Sequence, residues 1–192
     1  MRVVLASKSP RRKELLRDIF REFDIISSEV DESLPHGTPP VLGVELLAVR
    51  KGEAVARELP SSVLVISSDT LVELDGKALG KPESREEAIS MLESLSGRSH
   101  NVHTGVAVHY CGRLYSGVAS TAVHFRKIDR DELLSYVDSG EPMDKAGAYG
   151  IQGGAGKFVT GYDGDYDTVV GLSRRLTREL TERAITENGD ML

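Results

Sequence analysis

Val63-Leu64-Val65-Ile66-Ser67-Ser68-Asp69-Thr70-Leu71-Val72-Glu73-Leu74-Asp75-Gly76 is the segment that most constrains the architecture. Val63 to Ile66 is a continuous apolar run, the pattern of a central strand buried on both faces. The run ends at Ser67-Ser68-Asp69-Thr70, and apolar character resumes at Leu71-Val72-Glu73-Leu74. Asp75-Gly76 follows as a hairpin signal, because tight hairpin turns need residues that accept positive φ. A buried central strand that also feeds a hairpin excludes an all-parallel sheet.

The flanking sequence alternates helices and strands. Arg2 to Ala6 is a short apolar strand. Ser9 is placed as an N-cap and Pro10 as the first helical residue, with Leu15, Leu16, Ile19 and Phe20 as the buried stripe. Phe23 to Ser27 is a second strand running into the acidic turn Glu29-Val30-Asp31-Glu32. A helix is predicted from Val41 to Glu58, stopped by Leu59-Pro60-Ser61-Ser62. Ser84 to Leu95 is another helix, with Ser84 and Glu87 at capping-box spacing. Asn101 to Tyr110 and Leu114 to Phe125 alternate as paired strands about Cys111-Gly112-Arg113. Asp129 caps a helix to Ser139, Glu141 to Phe158 is glycine-rich without periodicity, and Thr168 to Glu187 contains a last helix. The expected class is α/β: a mixed, twisted sheet with flanking helices. Residues 1–192 are expected to form one domain.

Composition narrows the function classes. Hydrophobic residues make up 40% of the chain, which excludes general disorder. The net charge of −6 argues against an overall basic coat and stable nucleic-acid binding, while leaving room for a local basic cleft. Cys111 is the only cysteine, so no internal disulfide and no cysteine-based zinc site can form. No apolar run reaches membrane-spanning length, and Val3 to Ala6 is too short for a signal-peptide core. A reducing cytoplasm without membrane partners is the expectation.

Charge is placed unusually at the first helix. Lys8, Arg11 and Arg12 surround its N-terminus, where the helix dipole is already positive and an added cation costs roughly 0.3–1 kcal/mol. Three cations beside free backbone N–H groups point to a missing anion such as a polyphosphate. Asp69, beyond an apolar strand, either caps a turn or holds a divalent cation or a nucleophile in a cleft. Lys51 and Lys81, each taken alone, are solvated lysines, and Glu29, Asp31 and Glu32 taken alone form an acidic surface turn. Gln152, in the glycine-rich segment, is either an exposed loop residue or a base reader. Its amide can match the O4/N3–H edge of uracil or thymine. The five histidines show no metal-ligand spacing. His100 and His103, three apart in a strand, point to opposite faces.

Leu5-Ala6-Ser7-Lys8-Ser9-Pro10-Arg11-Arg12, Ser68-Asp69-Thr70, Gly80-Lys81-Pro82, Leu95-Ser96-Gly97, Thr104-Gly105-Val106, Asp144 to Gly153 and Val169-Val170-Gly171-Leu172 together resemble the Maf family of nucleoside triphosphate pyrophosphatases. The resemblance runs in order over nearly the whole chain. It implies a fold like the inosine triphosphate pyrophosphatases, with two lobes around a central cleft. It also implies hydrolysis of a nucleoside triphosphate to monophosphate and pyrophosphate with a divalent cation (Mg²⁺, Mn²⁺ or Co²⁺). By the same resemblance Asp69 is the proton acceptor and a metal ligand, and Glu32 is the second ligand. Ser7, Arg12, Lys51 and Lys81 line the phosphate side, while Arg11, Thr70 and Gln152 govern base choice. Arginine, threonine and glutamine at those three positions match the dTTP/UTP branch. The alternatives are the 7-methyl-GTP branch and a nucleotide-sensing regulator of septum formation without turnover. The family also implies a homodimer, and roles in removing modified pyrimidine nucleotides and in arresting cell division. Three departures from the family pattern stand out: Ser173 in place of proline, the acidic stretch Gly161 to Asp167, and Gly52 in place of alanine.

Overall fold

The computed structural model describes residues 1–27 and 29–189. The strands are Val3–Leu5 (β1), Asp24–Ile25 (β2), Leu64–Leu74 (β3), Lys77–Leu79 (β4), Ser99–Tyr110 (β5), Arg113–Phe125 (β6) and Val159–Asp163 (β7). The α-helices are Pro10–Arg17 (α1), Pro40–Ala56 (α2), Arg85–Leu95 (α3), Arg130–Asp138 (α4), Tyr166–Val170 (α5) and Arg174–Glu187 (α6), and short 3-10 turns occupy Glu141–Asp144, Ala146–Ala148 and Gly154–Phe158. The strand order is β2-β1-β3-β5-β6-β7, with β4 paired to β3. β1 runs parallel to β2 and β3, and the remaining pairs are antiparallel. The sheet is therefore mixed, as the hairpin signals require.

Both tight hairpins are built by their turn residues. Asp75 and Gly76 have φ of 52° and 76°, and Cys111 and Gly112 have φ of 49° and 73°, the backbone that joins twisted strands in two residues. Ser84 and Asp129 cap α3 and α4 through their side chains. Glu87 completes the start of α3 by accepting from the backbone N–H of Glu83 at 2.7 Å.

The polar residues Ser67 to Thr70 do not end the strand, because β3 is a single element of 11 residues that runs through them. Asp69 thus lies mid-strand, opposite Gly105 of β5. The strand survives burial because its hydroxyls find partners: Ser67 Oγ donates to the Ala48 carbonyl at 2.7 Å, and Ser68 Oγ to the Gly171 carbonyl at 2.8 Å. The second expected strand shrinks to the two residues of β2, and the last helical region is broken at Gly171, whose φ of 131° ends α5.

On the far edge of β3 from β5, β1 pairs with Leu64 to Ile66 and β4 with Val72 to Leu74. Neither pairs with residues 67–71. The gap separates the two largest apolar clusters. Val3, Leu5, Leu64 and Ile66 pack with Leu172, Leu176 and Leu180 on one side. Val72 and Leu74 pack with Leu92, Phe125, Tyr149 and Phe158 on the other. These are the two lobes, and β3 crosses between them.

The departures from the family pattern have local causes. Ser173 caps α6 by accepting from the Leu176 N–H. In the acidic stretch, Asp163 meets His124 and Asp167 meets Arg174. Gly52 lies against Ser67 Oγ and the His109 ring, where a Cβ would overlap both.

Candidate active site

The cleft opens at the β3 gap and encloses about 930 Å³. Arg11, Arg12, Lys51, Lys81 and Lys145 line it, with Glu32, Asp69, Glu141 and Asp144. Five cations against four carboxylates, in a chain of net charge −6, make it the kind of local basic cleft that attracts polyanions.

α2 crosses β3 and delivers Lys51 to Asp69. Lys51 Nζ lies 2.5 Å from Asp69 Oδ1 and 2.8 Å from Glu32 Oε1. The Lys51 ammonium holds the Glu32 carboxyl below its ordinary range, against the opposing effect of burial. Two carboxylates therefore converge on one positive group. That donor chemistry fits a hard divalent cation, which needs only one or two protein carboxylates when a nucleotide supplies phosphate oxygens. Of the acidic turn, only Glu32 reaches the cleft. Asp31 is turned onto the Ser33 N–H and hydroxyl, and Glu29 is exposed.

The α1 side is organised by Arg12. Its Nε donates to the Gly171 carbonyl at 2.9 Å, Nη1 to Ser7 Oγ at 3.4 Å and Nη2 to Thr70 Oγ1 at 3.4 Å. Burial lowers the Arg12 pKa from its ordinary value and Asp69 opposes this; a guanidinium stays protonated in proteins. Thr70 Oγ1 shares a 2.9 Å hydrogen bond with Thr104 Oγ1, which donates to the Thr168 carbonyl. Ser7 stands behind this group and accepts from the Ser9 N–H at 3.2 Å. Ser9 caps α1 as its sequence predicts, accepting from the Arg12 N–H.

Arg11, Arg12, Glu32, Lys51, Asp69, Thr70, Lys81 and Gln152 all line the one cleft, and Ser7 is its buried support. Gln152 is exposed at the rim. Three features escaped the sequence. The Gly171 carbonyl accepts from Arg12 and Ser68 together. Lys145 Nζ is held by the Glu141 carbonyl and Asp144 Oδ1 inside the cleft. The Glu141 carboxylate is bound to the loop that carries Gln152. The glycine-rich segment announced a ligand loop, but nothing in its spacing distinguished Lys145 or Glu141 from solvated charges.

Fold and site together define an α/β protein with a mixed sheet, cut by a cleft that sets five cations against four carboxylates. The chain belongs to the Maf-like protein family, whose sequence model matches residues 2–184. Relatives named dTTP/UTP pyrophosphatase include one from Moorella thermoacetica, 50% identical over 93% of this chain and 93% of its own length. Another, from Thermococcus kodakarensis, is 46% identical over 94% of this chain and 95% of its own. Among solved structures, protein VC0702 from Vibrio cholerae shares the fold with a TM-score of 0.50 at 10% identity, over 100% of this chain and 99% of that one. The Staphylococcus aureus Ham1 protein matches with a TM-score of 0.49 at 18% identity, over 65% of this chain and 72% of that one.

Proposed function

We propose that this chain hydrolyses dTTP and UTP to the nucleoside monophosphate and pyrophosphate. The observation that carries the reading is Asp69 in the β3 gap, paired with Lys51 beside Glu32 and opposite Arg12. The names of the similar proteins support the same substrates.

Asp69 takes the proton of the attacking water as it adds to the α-phosphorus, and pyrophosphate leaves. Arg12, Lys51 and Lys81 neutralise the triphosphate and the charge that grows on the departing pyrophosphate. Ser7 holds Arg12 in its orientation from behind. Glu32 and Asp69 are the residues that would hold a divalent cation, which supplies Lewis-acid polarisation of phosphate oxygens when bound. Rate comes from positioning and charge stabilisation without a covalent intermediate. Arg11, Thr70 and Gln152 govern which base is admitted; a glutamine amide meets the O4/N3–H edge of uracil or thymine with one donor and one acceptor. Residues 1–192 act as one unit, with 28 and 190–192 outside the described residues. The cytoplasmic homodimer implied by the family resemblance is part of this reading.

The test is pyrophosphate release from UTP, dTTP, CTP, ATP, GTP and 7-methyl-GTP with Mg²⁺. UTP and dTTP give the highest kcat/KM, and Gln152→Ala brings CTP closer to them. A preference for 7-methyl-GTP, or no release from any nucleotide, contradicts the reading.

A further inference from the structure

A glutamine amide reads uracil only if its orientation is fixed. Turned by half a rotation, the same amide satisfies cytosine, whose N3 accepts and whose amino group donates. An exposed Gln152 on a glycine-rich loop would therefore discriminate poorly unless something holds that loop. The holding contacts are present and lie outside the groups assigned to phosphate or base.

Glu141, at the end of α4's connection into the loop, is bonded through both carboxylate oxygens. Oε1 accepts from the Tyr136 hydroxyl at 3.1 Å, and Oε2 accepts from the Gly154 N–H at 3.0 Å. The Tyr136 hydroxyl accepts in turn from the Gly150 N–H at 3.3 Å. Both ends of Gly150 to Gly154 are thus tied to one Tyr136–Glu141 pair, with Gln152 between them. Burial pushes the Tyr136 hydroxyl well above its ordinary value, so it remains a donor to Glu141. Packing enforces the same geometry. A Cβ on Gly153 would overlap the Glu141 carboxylate, and one on Gly150 would lie 2.7 Å from Lys145 Cε. Lys145 Nζ is itself fixed by the Glu141 carbonyl at 2.8 Å. Tyr136 is anchored in the α4 core, its ring edge-on to Phe158.

We infer that Tyr136 and Glu141 form a latch that fixes the Gln152 loop, and that they are positioning residues for the choice of uracil over cytosine. The inference rests on the base-reading role of Gln152 proposed above. Neither residue needs to touch the nucleotide.

The test measures kcat/KM for UTP and CTP in the unaltered protein, Tyr136→Phe, Glu141→Gln, Gln152→Ala and the Tyr136→Phe/Gln152→Ala double variant, with thermal melts for each. Tyr136→Phe removes only a hydroxyl from a packed ring and should stay folded. Losing such a hydrogen bond should narrow the UTP/CTP ratio by about three- to tenfold. The narrowing should come mainly through a higher KM for UTP and a gain with CTP. In the double variant the ratio should equal that of Gln152→Ala, because the latch acts through Gln152. If Gln152→Ala narrows the ratio while Tyr136→Phe and Glu141→Gln leave it unchanged, or lower both nucleotides equally, the latch is overturned and base reading stands. If Gln152→Ala leaves the ratio unchanged, base reading is overturned and the latch with it.

Discussion

Asp69 can sit in the middle of a sheet because each polar neighbour on β3 has a partner contributed from elsewhere in the chain. A buried carboxylate is costly unless it is paired and hydrogen-bonded, and Lys51 supplies that pair at 2.5 Å. The residue types that carry the site were visible in the sequence: the Asp69 break, the cations at the start of α1 and the Ser9 cap. Its supports were not, because they join residues distant in sequence. Ser68 bonds Gly171, and Arg12 bonds both Gly171 and Thr70. His100 shows the same dependence on distant residues. It is 4% exposed, shares a 2.7 Å hydrogen bond with Tyr149 and packs edge-on against Phe125. Burial lowers its pKa from 6.5 to about 4. The unfolded chain therefore takes up this proton first as pH falls. The stability that neutral His100 allows is complete above pH 6.5 and is lost between 6.5 and about 4. Urea unfolding should show a loss of roughly 3 kcal/mol from this residue across that window. His100→Gln should have a correspondingly shallower fall between pH 7 and pH 4; an equal fall in the variant contradicts the assignment.

α2 links core packing to the position of Lys51. Its apolar spacing made the helix readable in the sequence, with ends at Pro40 and Ala56 in place of Val41 and Glu58. Its crossing point was not readable, because that depends on a glycine in another element. A Cβ on Gly105 would lie 2.5 Å from the Val44 carbonyl oxygen and 3.0 Å from Glu45 Cα, so the α2 backbone itself occupies the space. Gly105→Ala must displace α2, at a cost of about 1–3 kcal/mol, and should lower Tm by about 3–10 °C. Lys51 moves with the helix, so pyrophosphate release should fall as well. Gly117→Ala is the control, since its Cβ would meet only the Leu176 side chain at 3.3 Å. If both variants melt alike, the close approach of α2 is not the cause. The last helical region teaches the opposite lesson about periodicity. Leu172, Leu176 and Leu180 are one turn apart and share a core, yet Leu172 lies outside both helices, between Gly171, which closes α5, and Ser173, the N-cap of α6. The apolar spacing outlasts the helix.

At the scale of the whole molecule, function follows from an interruption. β1 and β4 leave residues 67–71 of β3 unpaired on one edge, and the two largest apolar clusters lie to either side of that gap. The sequence announced both clusters as apolar runs and the interruption as a polar break. It did not announce that one strand continues through the break, since continuity depends on the antiparallel partner β5 along the other edge. The cleft that results brings Asp69, Lys51 and Glu32 from three separate segments to one point. The most direct test of the central claim is pyrophosphate release from UTP and dTTP with Mg²⁺, comparing the unaltered protein with Asp69→Asn at matched folded concentration. The unaltered protein should release one pyrophosphate per nucleotide. The variant should be slower by about a thousandfold, the scale of a lost general base; an Asp69→Asn rate within about threefold of the unaltered protein would contradict that claim.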